Sequence, residues 1–380
     1  MAGPSTQLEV LRLKVIKIVH EIVARAECIN VVRDAASPFF CPGRSCICAD
    51  QVMIARRQLV FAASLIPLAF PFAGSAQTPA RTWRVGFLAG GFPPTDGAPP
   101  HPLRDELRAL GYTEGKNISY EGRWGELRNE RLTAAANDLI GNKVDVIVAL
   151  GWAAATELSK ATSTIPVVFL SAGDAVEAGL VLSLAHPGGN LTGINDPAAV
   201  LSAKRLELLR ELVPSARRVA VLWNAANYAM TLRYEEIRRA AELLHIEIEP
   251  LGVREPDDFD EALSAMNRER PDALMMVTDA LTNLNRQRVI DYSAAHRIPA
   301  MYEFGSVVHA GGLISYGTDD DANFRLAARY VAKVLRGAKP GDLPVEQPKE
   351  YFLVINLKTA KTLGLAVPQS LFLRAAELVQ

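Results

Sequence analysis

Residues 310–365 read AGGLISYGTDDDANFRLAARYVAKVLRGAKPGDLPVEQPKEYFLVINLKTAKTLGL. The pattern predicts a strand at Leu313–Tyr316, a break, and an amphipathic helix that ends at Arg336, because apolar residues recur at helical spacing. An extended passage containing two prolines follows, since proline excludes a helix there. A second strand, Tyr351–Ile355, and a short helix from Leu357 complete the stretch. In a two-lobed protein, such a late segment carries the chain between the lobes and completes both sheets.

Strands alternate with helices through the rest of the chain from Trp83 onward, and the pattern restarts after residues 195–197. Alternation at this spacing is typical of parallel, doubly wound sheets. The sequence therefore predicts an α/β protein with two doubly wound parallel-sheet lobes. The predicted strands are Trp83–Ala89, Asn117–Trp124, Val144–Leu150, Ile165–Leu170 and Leu191–Ile194, followed by Arg218–Trp223, Ile246–Leu251, Ala273–Val277 and Pro299–Tyr302.

Three motifs late in the chain carry a resemblance to a known family: Tyr316-Gly317, Gly337–Pro348 and Val354–Ala360. They resemble the C-terminal signature of bacterial ABC-transporter substrate-binding proteins of the tryptophan/tyrosine type, and the resemblance covers the chain from Trp83 to its end. The resemblance implies the hinged clamshell of type I periplasmic binding proteins, in which several chain crossings join the lobes. It also implies a receptor that delivers a small solute to an ABC permease and its ATPase without making or breaking a bond.

The lobe boundaries combine the several crossings that the resemblance implies with the positions of chain breakers, which coincide with two of the three hinge segments. Lobe 1 is predicted to comprise residues 83–196 and 308–340, and lobe 2 residues 197–307 and 341–380. The hinge is predicted at Asn195–Pro197, Glu303–Val308 and Pro340–Pro344.

The N-terminal residues do not follow the alternation of strands and helices. Arg56-Arg57, an apolar run at Leu59–Phe72 and the small residues Gly74–Ala76 form the pattern of a signal peptide. We expect residues 53–76 to be that signal peptide, and a periplasmic mature chain that begins near Gln77. Residues 1–52 are interpreted as an upstream extension that is not translated. They hold all four cysteines, whose spacing is not that of a zinc finger.

Composition and missing motifs restrict the function classes. A length of 380 residues suits two domains, and a formal net charge of −1 gives no reason to expect a nucleic-acid partner. The sequence lacks a G-x-S-x-G elbow, a dinucleotide fingerprint and a P-loop, and its six histidines form no pair at ligand spacing. We therefore expect no enzymatic activity, no cofactor and no metal. The protein is expected to be a monomer that contacts the membrane only through its permease.

Candidate ligand-binding residues follow from topology, because ligands of parallel sheets bind beyond the carboxyl ends of the strands. Those ends meet at one cleft when two lobes face each other. The candidates are Gly90, Gly91, Gly151, Trp152, Ala153, Ser171 and Asp174 from the first lobe, Asn224, Asn227, Thr278, Asp279 and Tyr302 from the second, and Tyr316 close to the hinge.

Roles can be suggested for some of these residues. The helix start at Gly151–Ala153 could take the carboxylate of an amino acid through its N–H groups, or Gly151 could only permit a turn. Asp279, or in its place Asp174, could hold an ammonium group or cap a helix. Trp152 and Tyr302 could stack on a flat ligand or pack as core. The family often has a small hydroxyl residue where this chain has Trp152.

Two other functions fit a two-lobed chain. One is an enzyme on a related scaffold, which the missing nucleophile and cofactor motifs disfavour. The other is a ligand-sensing module that reports closure to a signalling receptor, and this module would have the same clamshell.

Overall fold

The computed structural model of this chain describes residues 81–196 and 198–380, which lie within one compact unit, Gln77–Gln380. The predictions for residues 1–52 and 53–76 lie outside the described residues. The first elements in chain order are β1 (Trp83–Ala89), α1 (His101–Ala109), β2 (Ile118–Trp124), α2 (Asn129–Gly141), β3 (Val146–Leu150), α3 (Trp152–Ala161), β4 (Val167–Leu170) and β5 (Leu191–Gly193).

The remaining elements follow the first crossing of the chain. They are α4 (Ala198–Leu212), β6 (Arg218–Asn224), α5 (Tyr228–Leu244), β7 (Glu247–Val253), α6 (Asp258–Arg268), β8 (Ala273–Met276), α7 (Ala280–Leu284), α8 (Arg286–His296), β9 (Ala300–Tyr302), α9 (Gly305–His309), β10 (Ile314–Gly317), α10 (Asp320–Leu335), β11 (Phe352–Asn356), α11 (Leu357–Leu363), α12 (Gln369–Arg374) and β12 (Glu377–Val379).

The first lobe is a parallel sheet in the order β2-β1-β3-β4-β5 with helices on both faces. Side chains alternate across a strand, so Val85 and Phe87 pack on α1 and α10, whereas Leu88 packs on α2 and α3. Both faces of the sheet are therefore buried, which explains why β3 and β4 read as nearly continuous apolar runs.

The second lobe is a larger sheet in the order β12-β11-β10-β9-β8-β6-β7. Helices α4, α5, α11 and α12 cover one face, and α6, α7 and α8 cover the other. Every strand pair in this sheet is parallel except β10 with β11. Strand β11 runs antiparallel because the chain reaches it through an extended passage from the first lobe and not through a crossover helix. The predicted class of two doubly wound α/β lobes is confirmed.

The predicted lobe boundaries are wrong at two places. Strand β10 pairs with β9 in the second sheet, so residues 308–317 belong to lobe 2. The passage after α10 stays on lobe 1 as far as Glu346, since the N–H of Val345 donates to the carbonyl of Leu184 over 2.7 Å and that of Glu346 to Gly193 over 3.0 Å. A breaker residue ends an element, but it does not say which sheet the next element joins.

The crossings therefore lie between Ile194 and the start of α4, at residues 318–319, and at residues 347–351. The first agrees with the predicted hinge at Asn195–Pro197. The other two replace the predicted crossings at Glu303–Val308 and Pro340–Pro344. Among the described helices, none is long and apolar enough to cross a membrane.

Candidate functional site

A cavity lies between the two lobes, at the carboxyl ends of their strands. Its volume is about 20 Å³, room for about one water molecule, within about 320 Å³ of non-atom space that includes open solvent. Lobe 1 contributes the residues after β3 and β4 together with the first crossing, and lobe 2 contributes the start of α5. The lining residues are Trp152, Gly173, Asp174, Glu177, Ala178, Asp196, Tyr228, Ala229, Leu232 and Arg233.

The turn from β3 into α3 brings one aromatic ring and a helix N-terminus to this cavity. Gly151 adopts φ 87°, a conformation that favours glycine, and no side chain caps the helix that follows. Trp152 is the first residue of α3 and packs against the core of the other lobe. Its ring lies 6.4 Å from that of Tyr228, centroid to centroid, with 50° between the planes.

The two lobes approach each other closely beside the cavity. Gly173 has φ 82°, and a Cβ atom on it would lie 3.2 Å from Cβ of Ala229. At the ends of β1 and α7, Cβ atoms on Gly90 and Gly91 would lie 3.8 and 3.9 Å from Cβ of Ala280. Glycines on lobe 1 thus allow its backbone to approach lobe 2 closely on both sides of the cleft.

A buried ionic cluster lies at the floor of the cleft. Glu303, only 2% exposed, accepts hydrogen bonds from Arg205 over 2.9 Å and from Arg233 over 2.8 Å. Arg233 also donates to Asp196 of the first crossing over 2.6 Å, and Arg205 donates to the carbonyl of Tyr316 over 2.7 Å. This cluster joins the first crossing to the interior of lobe 2. Among the described residues, Nε of Arg233 is buried without a hydrogen-bond partner.

Asp320, half-buried at the start of α10, faces the same cluster. Burial is the largest cause of a rise in the pKa of its carboxyl to about 7, to which the negative charges of Asp196, Asp319, Asp321 and Glu303 also contribute. The hinge region therefore concentrates acidic groups from two different crossings.

Asp279 is satisfied by the protein itself. Its Oδ1 accepts from the N–H groups of Leu281 over 3.0 Å and Thr282 over 3.1 Å, which caps α7. Its Oδ2 accepts from the side-chain amides of Asn224 over 2.6 Å and Asn227 over 3.2 Å. The arrangement is that of a helix cap, the structural alternative considered for this residue.

The other predicted site residues fall into three groups. Gly151, Trp152, Ala153 and Asp174 lie at or beside the cavity. Ser171, with φ 54°, lies between the end of β4 and the lining residue Gly173. Gly90, Gly91, Asn224, Asn227, Thr278 and Asp279 lie farther along the same cleft, where Gly90 and Gly91 face the start of α7. Tyr316 lies at the second crossing, with its ring 6.1 Å from that of Tyr351.

The prediction that Tyr302 contacts the ligand is wrong. Its side chain is 1% exposed and packs in the core between β9 and the helices of lobe 2. The side chain points to the covered face of the sheet and not along the strand axis towards the cleft, so it cannot stack on a ligand.

Sequence reasoning missed Arg205, Arg233 and Glu303 as members of one cluster. A signal existed for the two arginines, because each lies in the apolar stripe of its helix. Arg205 stands four residues before Leu209, and Arg233 stands four residues before Ile237. A charged residue at a core position requires a buried partner.

Comparison with known proteins identifies the family. A family model described as ABC transporter substrate binding protein matches residues 101–379. The chain belongs to this family. The substrate-binding protein is 28% identical over 273 residues to a tyrosine-binding protein of Clostridioides difficile (strain R20291), which covers 70% of this chain and 78% of the relative.

Solved structures also resemble this substrate-binding protein. A conserved domain protein from Vibrio cholerae has a TM-score of 0.73 at 28% identity. A Streptococcus pneumonia ABC domain in complex with L-Trp has a TM-score of 0.71 at 25% identity. Each match covers 78% of this chain and all of the other. The resemblance to substrate-binding proteins of ABC transporters, predicted from the C-terminal motifs, is confirmed. Groups of three or more metal-binding side chains are absent from the described residues.

Proposed function

We propose that this substrate-binding protein captures an amino acid in the cleft between its lobes and presents it to the permease of an ABC transporter. The observation that carries the proposal is the cavity at the strand ends, which combines an uncapped helix N-terminus with an excess of carboxylates. A zwitterion has one group for each of these features.

The carboxylates favour a ligand with a positive charge. Asp174, Glu177 and Asp196 line the cavity, and Arg233 is the one cation among its lining residues. Asp196 and Glu303 together compensate the charges of Arg233 and Arg205, so Asp174 and Glu177 are the lining carboxylates that have no paired cation among the described residues. A ligand ammonium group would complete the charge balance of the cavity.

The carboxylate of the ligand has two kinds of donor available. The first N–H groups of α3 have no acceptor within their own helix, and the dipole of the helix favours an anion there. Nε of Arg233 offers a further donor at the floor of the same cavity, and an acceptor atom of the ligand would satisfy it.

The ammonium partner is proposed to be Asp174 and not Asp279. Asp279 already accepts four hydrogen bonds. Asp174 uses Oδ1 to accept from the N–H groups of Val176 and Glu177 and is otherwise exposed at the cavity. The relatives named for tyrosine and for L-Trp make these two amino acids the first ligands to test.

The test is calorimetric titration of the chain from Gln77 with L-tyrosine, L-tryptophan and other amino acids. We expect saturable binding of one ligand per chain. Asp174→Asn keeps the Oδ1 acceptor of the turn and removes the charge, so affinity should fall about tenfold or more. Asp272→Asn is the matched control, since Asp272 also accepts from two backbone N–H groups but lies at the opposite edge of its sheet. Equal affinity of the Asp174 variant and the control would refute this role.

The cellular location of the protein is part of the same proposal. Receptors of ABC transporters capture solutes outside the cytoplasm, and we propose export to the periplasm directed by residues 53–76. The exported monomer would then meet its permease and ATPase at the membrane. Mass spectrometry of the exported protein should find a first residue near Gln77, and peptides from residues 10–25 in the periplasm would contradict this.

A further inference from the structure

The cavity between the lobes is too small for an aromatic amino acid in this structure. Its volume of about 20 Å³ is room for about one water molecule. Clefts that hold a small organic molecule have about 300–1,000 Å³. A solute with a ring therefore has no space beside the residues that line the cavity, and one of them has to move before such a solute binds.

The ring of Trp152 lies where lobe 2 presents an apolar wall. Tyr228, Ala229 and Leu232 form this wall from the first turns of α5. The indole packs against the core of lobe 2, and its centroid lies 6.4 Å from that of Tyr228 with 50° between the planes. This separation is that of two aromatic rings in direct contact. A side chain of lobe 1 thus makes the contacts with lobe 2 that the ring of a solute would make.

The backbone of Trp152 is fixed to lobe 1. Trp152 is the first residue of α3, and Ala154, Ala155 and Leu158 of the same helix are buried in the core of that lobe. The N–H of the preceding Gly151 donates to the carbonyl of Leu170 over 2.9 Å, which holds the turn on the sheet. The indole can therefore leave lobe 2 only when its side chain rotates or when the lobes separate. Either movement uncovers the apolar wall.

We propose that Trp152 is a tethered occupant of the solute site: its indole takes the position of the solute's ring on the wall of α5, and a solute binds by displacing it. This inference rests on the proposed function for the identity of the solute. The contacts of the indole with lobe 2 are lost when the solute enters, so they lower the affinity of every solute by the same factor. Trp152 therefore sets a threshold that the solute's own ring contacts have to exceed.

The experiment removes the indole and offers it back as a free molecule, using calorimetry on the chain from Gln77. Trp152→Ala should bind indole saturably at one site per chain, because truncation of a large side chain leaves space that a small aromatic molecule can enter. The wild type should bind none at the same concentration. The variant should also bind L-tryptophan or L-tyrosine about 3- to 10-fold more tightly than the wild type, since one aromatic contact is no longer broken.

The matched control is the same substitution at the other end of the sheet of lobe 1. Trp83 begins β1, opposite the carboxyl ends of the strands, and its ring is covered by the guanidinium of Arg81. Trp83→Ala should bind both amino acids as the wild type does and should bind no indole.

A second measurement uses the wild type and so does not depend on the folding of a variant. Quenching of tryptophan fluorescence by acrylamide, excited where tyrosine does not absorb, reports the exposure of the four tryptophans of the chain. Saturation with L-tyrosine should increase the quenching, because the displaced indole becomes exposed. Trp152→Phe should not show this increase.

The outcomes separate this inference from the proposed function. Equal or weaker binding of both amino acids by Trp152→Ala would overturn the inference and leave the proposed function standing. Absence of indole binding by this variant, or a decrease in quenching of the wild type with L-tyrosine, would overturn the inference as well. Indole binding by Trp152→Ala with neither amino acid bound by either protein would overturn the proposed function and keep Trp152 as the occupant of a site for aromatic rings.

Discussion

Replacing Glu303 by glutamine removes the carboxylate that two buried arginines share. Arg205 and Arg233 donate to its two oxygens over 2.9 and 2.8 Å, and all three side chains are at most 5% exposed. Glutamine keeps one acceptor oxygen but turns an N–H₂ group towards the other guanidinium. Loss of one partner in a buried ion pair costs about 3–5 kcal/mol, because the remaining charge stays desolvated.

The expected loss in the free energy of unfolding is therefore about 3–5 kcal/mol, which at about 2 °C per kcal/mol lowers Tm by about 6–10 °C. Urea unfolding followed by circular dichroism measures it, with an unchanged m value showing that the same surface is exposed. Glu242→Gln is the control, since Glu242 pairs with Arg238 on an exposed face of α5 and should cost less than about 0.5 kcal/mol. A loss in Glu303→Gln no larger than in this control would refute the reasoning.

Three further predictions concern the hinge and the cleft. The pKa of Asp320 is raised to about 7, so the folded state holds the proton of this carboxyl more tightly, and the free energy of unfolding falls as the pH rises from about 4 to about 7. Asp320→Asn should therefore raise Tm at pH 8 and change it little at pH 4. Equal shifts of Tm at both pH values would contradict this. Gly173→Ala should weaken ligand binding in the same titration, because the added Cβ crowds Ala229 across the cleft. Gly364→Ala is the control: Gly364 has φ 75° and no atom within 4 Å of an added Cβ, so this variant should lose similar stability and keep full affinity. Asp279→Ala should lower the free energy of unfolding, measured in urea, by about 1–2 kcal/mol through loss of the α7 cap, and Asp279→Asn should lower it less. Equal stability of the alanine variant and the wild type would exclude the capping role.

Much of the fold was predictable, because strands and helices of a doubly wound sheet are specified locally. Nine predicted strands before residue 303 correspond to observed strands, with ends that differ by a few residues. The short elements α7, α9, α12 and β12 were not predicted. They have too few residues for a periodic pattern and form because neighbouring elements cover them.

The candidate site was predictable in outline. The rule that ligands bind beyond the carboxyl ends of parallel strands selected Trp152 and Asp174, and both line the cavity. The same rule selected Asp279, but four donors from its surroundings occupy that carboxylate. The rule missed Tyr228 and Arg233, because both lie on helix α5 and reach the cleft through the orientation of that helix.

The sequence by itself determined the two-lobed α/β class and, through the motifs between Tyr316 and Ala360, the family. These properties depend on periodicity and on contiguous residues. Only the tertiary structure decided where the chain crosses between lobes, that Tyr302 is core, and that Arg205, Arg233 and Glu303 form one cluster. Each of these depends on which side chains become neighbours after the sheets pack, and Arg205 and Glu303 are separated by 98 positions in sequence. Spacing along the chain does not encode such a contact, because the burial that makes the ion pair necessary arises only when the lobe has folded.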